Sequence, residues 1–135
     1  MAKTYATPRI QAGKPVCVTL TAADTTANTD IYTAPADGAI LYRLIATNDD
    51  DTVTPVISVK LYDGATTNII GTYTLAQEYG TDGTNNGVNL LEKIGVLDPD
   101  KPQIPLISGN KIIVSVGTTI TADKSVYITA IVGTF

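Results

Sequence analysis

The chain is a succession of short apolar runs, each closed by Gly, Pro, Asn or Asp before it grows long enough for a helix. That rhythm constrains the fold more than any single residue does. Val16–Ala22 alternates, with Val16, Val18 and Leu20 on one side. Ile31–Thr33 is a short second run. Pro35 and the turn dipeptide Asp37-Gly38 lead into Ala39–Thr47, which carries Leu41 and Ile45 on one face and Ile40, Tyr42 and Leu44 on the other. Apolar residues on both faces predict a central strand. Pro55–Asp63 alternates Ile57, Val59 and Leu61 against Ser58, Lys60 and Tyr62, the pattern of a half-buried strand. Asp63-Gly64-Ala65-Thr66-Thr67 turns it into Asn68–Ala76, and these two runs predict a hairpin. Ile104–Ile107, Lys111–Val116 and Ser125–Gly133 close the chain. About eight short strands predict an all-β fold: an antiparallel β-sandwich of jelly-roll type, with a closed barrel as the alternative.

Residues 77–103 depart from the rhythm. Tyr79-Gly80-Thr81-Asp82-Gly83-Thr84-Asn85-Asn86-Gly87 reads as a long turn-rich loop. Val88–Ile94 predicts one or two helical turns, with Leu90, Leu91 and Ile94 on one side and Gly95 as a stop. Leu97-Asp98-Pro99-Asp100-Lys101-Pro102 reads as extended and rigid. A segment of this length inside a domain is usually functional or contacts a partner. Tyr79, Asn85 and Asn86 are its candidate interface residues.

The chemistry available to the chain is narrow. Among 135 residues there is no His and no Trp, and Cys17 is the one thiol. A nucleophilic triad lacks its usual base, and a structural zinc site lacks its ligands. Most Asp lie beside Gly, Asn or Pro, where turn chemistry explains them. The run Asp49-Asp50-Asp51 lacks the spacing of a calcium loop and reads as a solvated hairpin tip. Cys17 sits between Val16 and Val18 and reads as a buried, inert thiol. Gly80, Gly83 and Gly87 match no phosphate-binding loop. These observations point away from an enzyme, a metal, a cofactor or a small-molecule substrate. Tyr5 and Tyr79 read as the exposed tyrosines, suited to anchoring a protein interface.

Charge is scarce, at 16% of residues against the usual ~25%. It is also unevenly placed. Lys3, Arg9 and Lys14 precede the first acid, which leaves all 13 acids against six bases in the rest of the chain. With Pro8 and Pro15, residues 1–15 read as an extended basic arm, and residues 16–135 as one sandwich domain. Lys3, Tyr5, Arg9, Ile10 and Lys14 are the arm's candidate contacts. Fully extended, such an arm reaches up to roughly 50 Å, far enough to lie on an acidic neighbour. Nucleic acid is disfavoured, because the bases are dispersed and the acidic body repels phosphate. The start shows no apolar signal segment, and no run is long enough to span a membrane, so synthesis in a cytoplasm is expected.

Several phrases occur in a set order. Val18-Thr19-Leu20-Thr21-Ala22-Ala23-Asp24-Thr25-Thr26 comes first, then Thr33-Ala34-Pro35-Ala36-Asp37-Gly38 and Ala46-Thr47-Asn48-Asp49. Lys60-Leu61-Tyr62-Asp63-Gly64 and Ile69-Ile70-Gly71-Thr72 follow. Val114-Ser115-Val116, Ile120-Thr121-Ala122-Asp123-Lys124 and Val132-Gly133-Thr134-Phe135 end the chain. This order resembles the small virion structural proteins of tailed bacteriophages, in particular those that decorate or cement the capsid. The resemblance covers roughly residues 16–135. It implies a β-sandwich subunit, commonly a homotrimer, seated on the virion exterior at junctions of the major capsid protein lattice. Tail, neck or adaptor components carry similar phrases. A carbohydrate-binding or host-receptor module is a further reading, which would need an exposed aromatic patch.

Overall fold

Alternate apolar positions of the strands face one another across two antiparallel sheets. The computed structural model describes residues 12–84, 86–94 and 103–135. The strands are β1 (Ala12–Thr21), β2 (Thr29–Thr33), β3 (Ala39–Asn48), β4 (Val56–Tyr62) and β5 (Thr67–Thr74). They continue with β6 (Val88–Asn89), β7 (Ile104–Leu106), β8 (Lys111–Val116) and β9 (Ser125–Thr134). One helical turn, α1 (Leu90–Lys93), follows β6.

The first sheet has the order β1-β9-β3-β6, with β7 also on β3, and the second has the order β2-β8-β4-β5. The pairing is nested: β1 with β9, β2 with β8, β3 with β6 and β7, and β4 with β5. β6 lies opposite Ile45 and Ala46, and β7 opposite Ala39 to Leu41. They are two pieces of one interrupted edge. Counted so, the chain is a long hairpin wrapped into two sheets, which is a jelly roll. The expected sandwich is therefore the fold.

Leu20, Leu41, Leu44, Ile57, Leu75, Leu90, Leu91, Ile112, Ile120 and Ile128 are fully buried between the sheets. Each such side chain contributes about 1.5–3 kcal/mol by leaving water. Both leucines of α1 are in this core, and Asn89 fixes the helix start. Its Oδ1 accepts from the Leu91 amide at 3.3 Å and from the Leu44 amide of β3 at 3.2 Å.

Three local expectations change. β3 is central, but a bulge between Leu41 and Arg43 inserts an extra residue. After it Leu44 and Ala46 face the core, and Ile45 faces out with Leu41 left behind it on the inner side. β1 begins at Ala12, ahead of the expected Val16, with Lys14 opposite Val132 and Pro15 opposite Ile131. An edge strand tolerates Pro, because one side of it has no ladder. Cys17 is exposed, not buried. It alternates with Val16, Val18 and Leu20, and nothing described covers the outer face of β1.

The sandwich has two ends. The β1–β2, β3–β4, β5–β6 and β8–β9 connections gather at one. β1 starts and β9 finishes at the other, beside the β2–β3, β4–β5 and β7–β8 turns.

Candidate functional site

The Asp49–Asp51 run lies at the first of these ends and is built into it. Asn48 and Asp50 are fully buried. The Asp50 Oδ1 accepts from the amides of Thr52 at 2.9 Å and Val53 at 3.0 Å and from the Thr121 hydroxyl at 2.9 Å. Its Oδ2 accepts from the Thr121 amide at 2.8 Å. Burial alone would push this carboxyl up. The Thr121, Val53 and Thr52 amides and the Thr121 hydroxyl outweigh it and bring the pKa down to about 2. Asn48 donates through Nδ2 to the Ala76 carbonyl at 3.1 Å and accepts through Oδ1 from the Asp50 amide at 3.0 Å. Asp49 accepts from the Ser125 amide at 2.6 Å and the Tyr127 hydroxyl at 3.0 Å. Only Asp51 is exposed, with Lys124 at 3.9 Å.

The run is thus a structural clasp between the β3–β4 and β8–β9 connections, not a solvated tip. Polar N–H groups surround the Asp50 oxygens, where a calcium site would offer further oxygen ligands. Millimolar Ca²⁺ is expected to leave the thermal midpoint where EDTA leaves it. A large rise with Ca²⁺ would show a cation site.

The connections at this end hold Asp24, Asp49, Asp50, Asp51, Glu78, Asp82 and Asp123, with Lys124 as their base. Lys14 is exposed near the start of β1, toward the opposite end. Tyr79 belongs to the acidic end, where its carbonyl accepts from the Asn48 amide at 2.9 Å. Lys14 and Tyr79 therefore lie toward opposite ends of the sandwich. Tyr79, expected to be exposed, is half-buried and packs against the core. Its loop folds back over β3, where the Cβ that Gly80 lacks would stand 2.7 Å from the Thr47 methyl. Asn86 is exposed. Lys3, Tyr5, Arg9, Ile10 and Asn85 lie outside the described residues.

Among the described residues the exposed large hydrophobic side chains are others: Tyr42, Val56, Ile69, Ile107 and Tyr127. Alternation marks most of them, since Tyr127 lies out of step with Val126 and Ile128. Tyr127 stands opposite Thr47 of β3 and Thr19 of β1, whereas Tyr42 lies at the bulge, so the two exposed tyrosines among the described residues form no patch. The outward rows of the first sheet are Thr19–Tyr127–Thr47, Cys17–Thr129–Ile45 and Pro15–Ile131–Arg43. Arg43 is the one charge among them. Such a surface can hold another protein, and nothing in it converges on a reacting atom.

No protein-family model matches the chain, and no curated protein does. Solved structures do. One comes from the acid-stable capsid of Helicobacter pylori bacteriophage KHP30, at 13% identity and a TM-score of 0.49, covering 94% of this chain and 90% of that one. Another comes from Bacillus endospore appendages, described as disulfide-linked pili, at 15% identity and a TM-score of 0.48, covering 100% and 97%. A third is a pentameric capsid protein from metagenomic phage sequences, at 15% identity and a TM-score of 0.39, covering 89% and 60%.

Proposed function

We propose that this chain is a non-enzymatic structural protein of a bacteriophage virion, which decorates the outer surface of the major capsid protein lattice and cements it. In this reading it acts as a homotrimer, and residues 1–11 tie it to the lattice. The observation that carries the reading is how the polar groups are used. The convergent ones, Asn48, Asp49 and Asp50, bind connections to each other and leave no free acid, base or nucleophile among them. The outward rows of the first sheet are mostly Thr, Ile and Tyr, with Cys17, Pro15 and one charge, a surface suited to packing beside other proteins. The resemblance of the ordered phrases to decoration proteins adds the capsid.

The arm completes the argument. β1 starts at an edge of the first sheet, at the end away from the acidic connections. Eleven residues precede it, with Lys3 and Arg9 among them. Fully extended they would reach roughly 35–40 Å. An arm that joins weak contacts to a seated body strengthens attachment through effective concentration.

The test adds purified protein to empty expanded capsids that lack it. The full chain should bind them, and a chain without residues 2–11 should keep its fold but bind roughly tenfold or more weakly. The deletion stops there because Ala12, Gly13 and Lys14 pair with β9. Arg9→Glu should matter less, by about 0–1 kcal/mol, as an exposed ion pair does. Unchanged occupancy after the deletion would move attachment to the loop around Tyr79. A full chain that ignores capsids and binds tails or necks would replace decoration with an adaptor role.

A further inference from the structure

A sheet edge is a row of unpaired N–H and C=O groups, and folded proteins guard it with charge, Pro or brevity. β1 carries Lys14 and Pro15. β2 is five residues long and carries Asp30, ion-paired to Lys111 at 3.1 Å. The outer side of β3 is occupied by β6 and by β7 with its Pro105. β5 is different. Thr67-Asn68-Ile69-Ile70-Gly71-Thr72-Tyr73-Thr74 has no charge and no Pro, and Ile69 is 60% exposed. Among the described residues only β4 pairs with it.

β5 also has an internal symmetry. Its pairing with β4 shifts between Val59 and Lys60, so Ile70 is an extra residue. Thr67 and Ile69 before the shift lie opposite Tyr62 and Lys60, and Thr72 and Thr74 after it lie opposite Ser58 and Val56. All four therefore share the outer face, although odd positions precede the bulge and even positions follow it. A two-fold axis between Ile70 and Gly71 would set Ile69 opposite Thr72 of a second copy, and Thr67 opposite Thr74. Asn68 would meet Tyr73. Every cross-strand pair then keeps its face, and none sets like charges together.

We propose that β5 pairs antiparallel with β5 of a second copy, joining two second sheets into one continuous sheet. An isologous contact needs a surface complementary to itself, and this strand is one. It offers no charge by which a different partner would be selected. The inference goes beyond the capsid reading and does not depend on it. In a trimeric protein the same contact would join trimers in pairs.

Sedimentation equilibrium of the full chain at micromolar concentration tests it. The mass should correspond to an even number of copies. Ile69→Lys with Thr72→Lys puts like charges opposite each other on both sides of the axis and should halve that mass, with an unchanged circular dichroism spectrum. Ile69→Lys with Thr72→Glu puts opposite charges there and should restore it. An odd copy number, an undiminished mass for the Lys/Lys chain, or a Lys/Glu chain that stays halved would each overturn the proposal.

Discussion

Asp50→Ala is expected to lower the thermal midpoint by roughly 10–20 °C, while Asp51→Ala beside it changes little. The substitution removes the acceptor for the amides of Thr52, Val53 and Thr121 and for the Thr121 hydroxyl. A buried donor left without a partner costs about 1–3 kcal/mol. Water reaching some of them after relaxation brings the expected total to about 3–5 kcal/mol. Asp51 loses only an exposed contact of 3.9 Å to Lys124, worth about 0–1 kcal/mol. The acid dependence separates the two further. The Asp50 carboxyl is lowered from 3.8 to about 2 on folding. Its contribution is fully present above the unfolded value and is lost as the pH falls through about 2. That contribution is on the order of 1–2 kcal/mol, and the Ala chain should lack it. Asp63 is also held low, by the Thr66 and Ala65 amides, but it titrates in both proteins and cancels. Urea midpoints of both chains at neutral and acid pH check this. Equal losses for Asp50→Ala and Asp51→Ala would show that the clasp is not what holds the connections.

The contrast between these neighbours explains why part of the molecule was legible from sequence and part was not. Strand identity depends on alternation within a few residues, so β4, β5, β8 and β9 could be read from Ile57, Val59 and Leu61 and their like. The hairpin turn could be read from Asp63-Gly64. The difference between Asp50 and Asp51 depends on Thr121, 71 positions away, and no local pattern carries it. The bulge in β3 is equally silent, because an extra residue in an apolar run looks like the run itself. β6 is two residues long and exists only because β3 offers it a ladder, so local apolar spacing gave a helix where a strand residue pair precedes one turn. Its β-branched neighbours predict a buried Cys17, yet the thiol is exposed. Alternation gives the side of a strand but does not say whether that side is covered. The exposure of Tyr79 is a case of the same kind. A long turn-rich loop predicts an exposed tyrosine, yet a loop that folds back over β3 packs its own aromatic against the core.

Gly38→Ala is the second change expected to have a large effect, with Gly64→Ala as its control. Both glycines have positive φ, 84° and 101°, a region where a side chain costs about 1 kcal/mol or more. The sequence marks both as turns, and only the fold distinguishes them. Gly64 sits in the β4–β5 turn with nothing within 4 Å of an added Cβ. Gly38 sits where the β2–β3 and β7–β8 turns meet. Its amide donates to the Pro35 carbonyl at 2.9 Å, and the Gly109 amide donates to the Ala34 carbonyl at 3.1 Å. A Cβ on Gly38 would stand 2.8 Å from the Leu106 carbonyl oxygen. That oxygen is backbone at the end of β7, so it cannot swing away as a side chain would. Relief requires moving β7 off β3, which strains the ladder from Ala39 to Leu41. The expected cost is about 2–4 kcal/mol for Gly38→Ala and about 1 kcal/mol for Gly64→Ala. Chemical denaturation of the two variants measures the difference directly. If both fell by the same amount, the cost would belong to backbone conformation alone, and the packing of the two turns would contribute nothing to holding β7 in place.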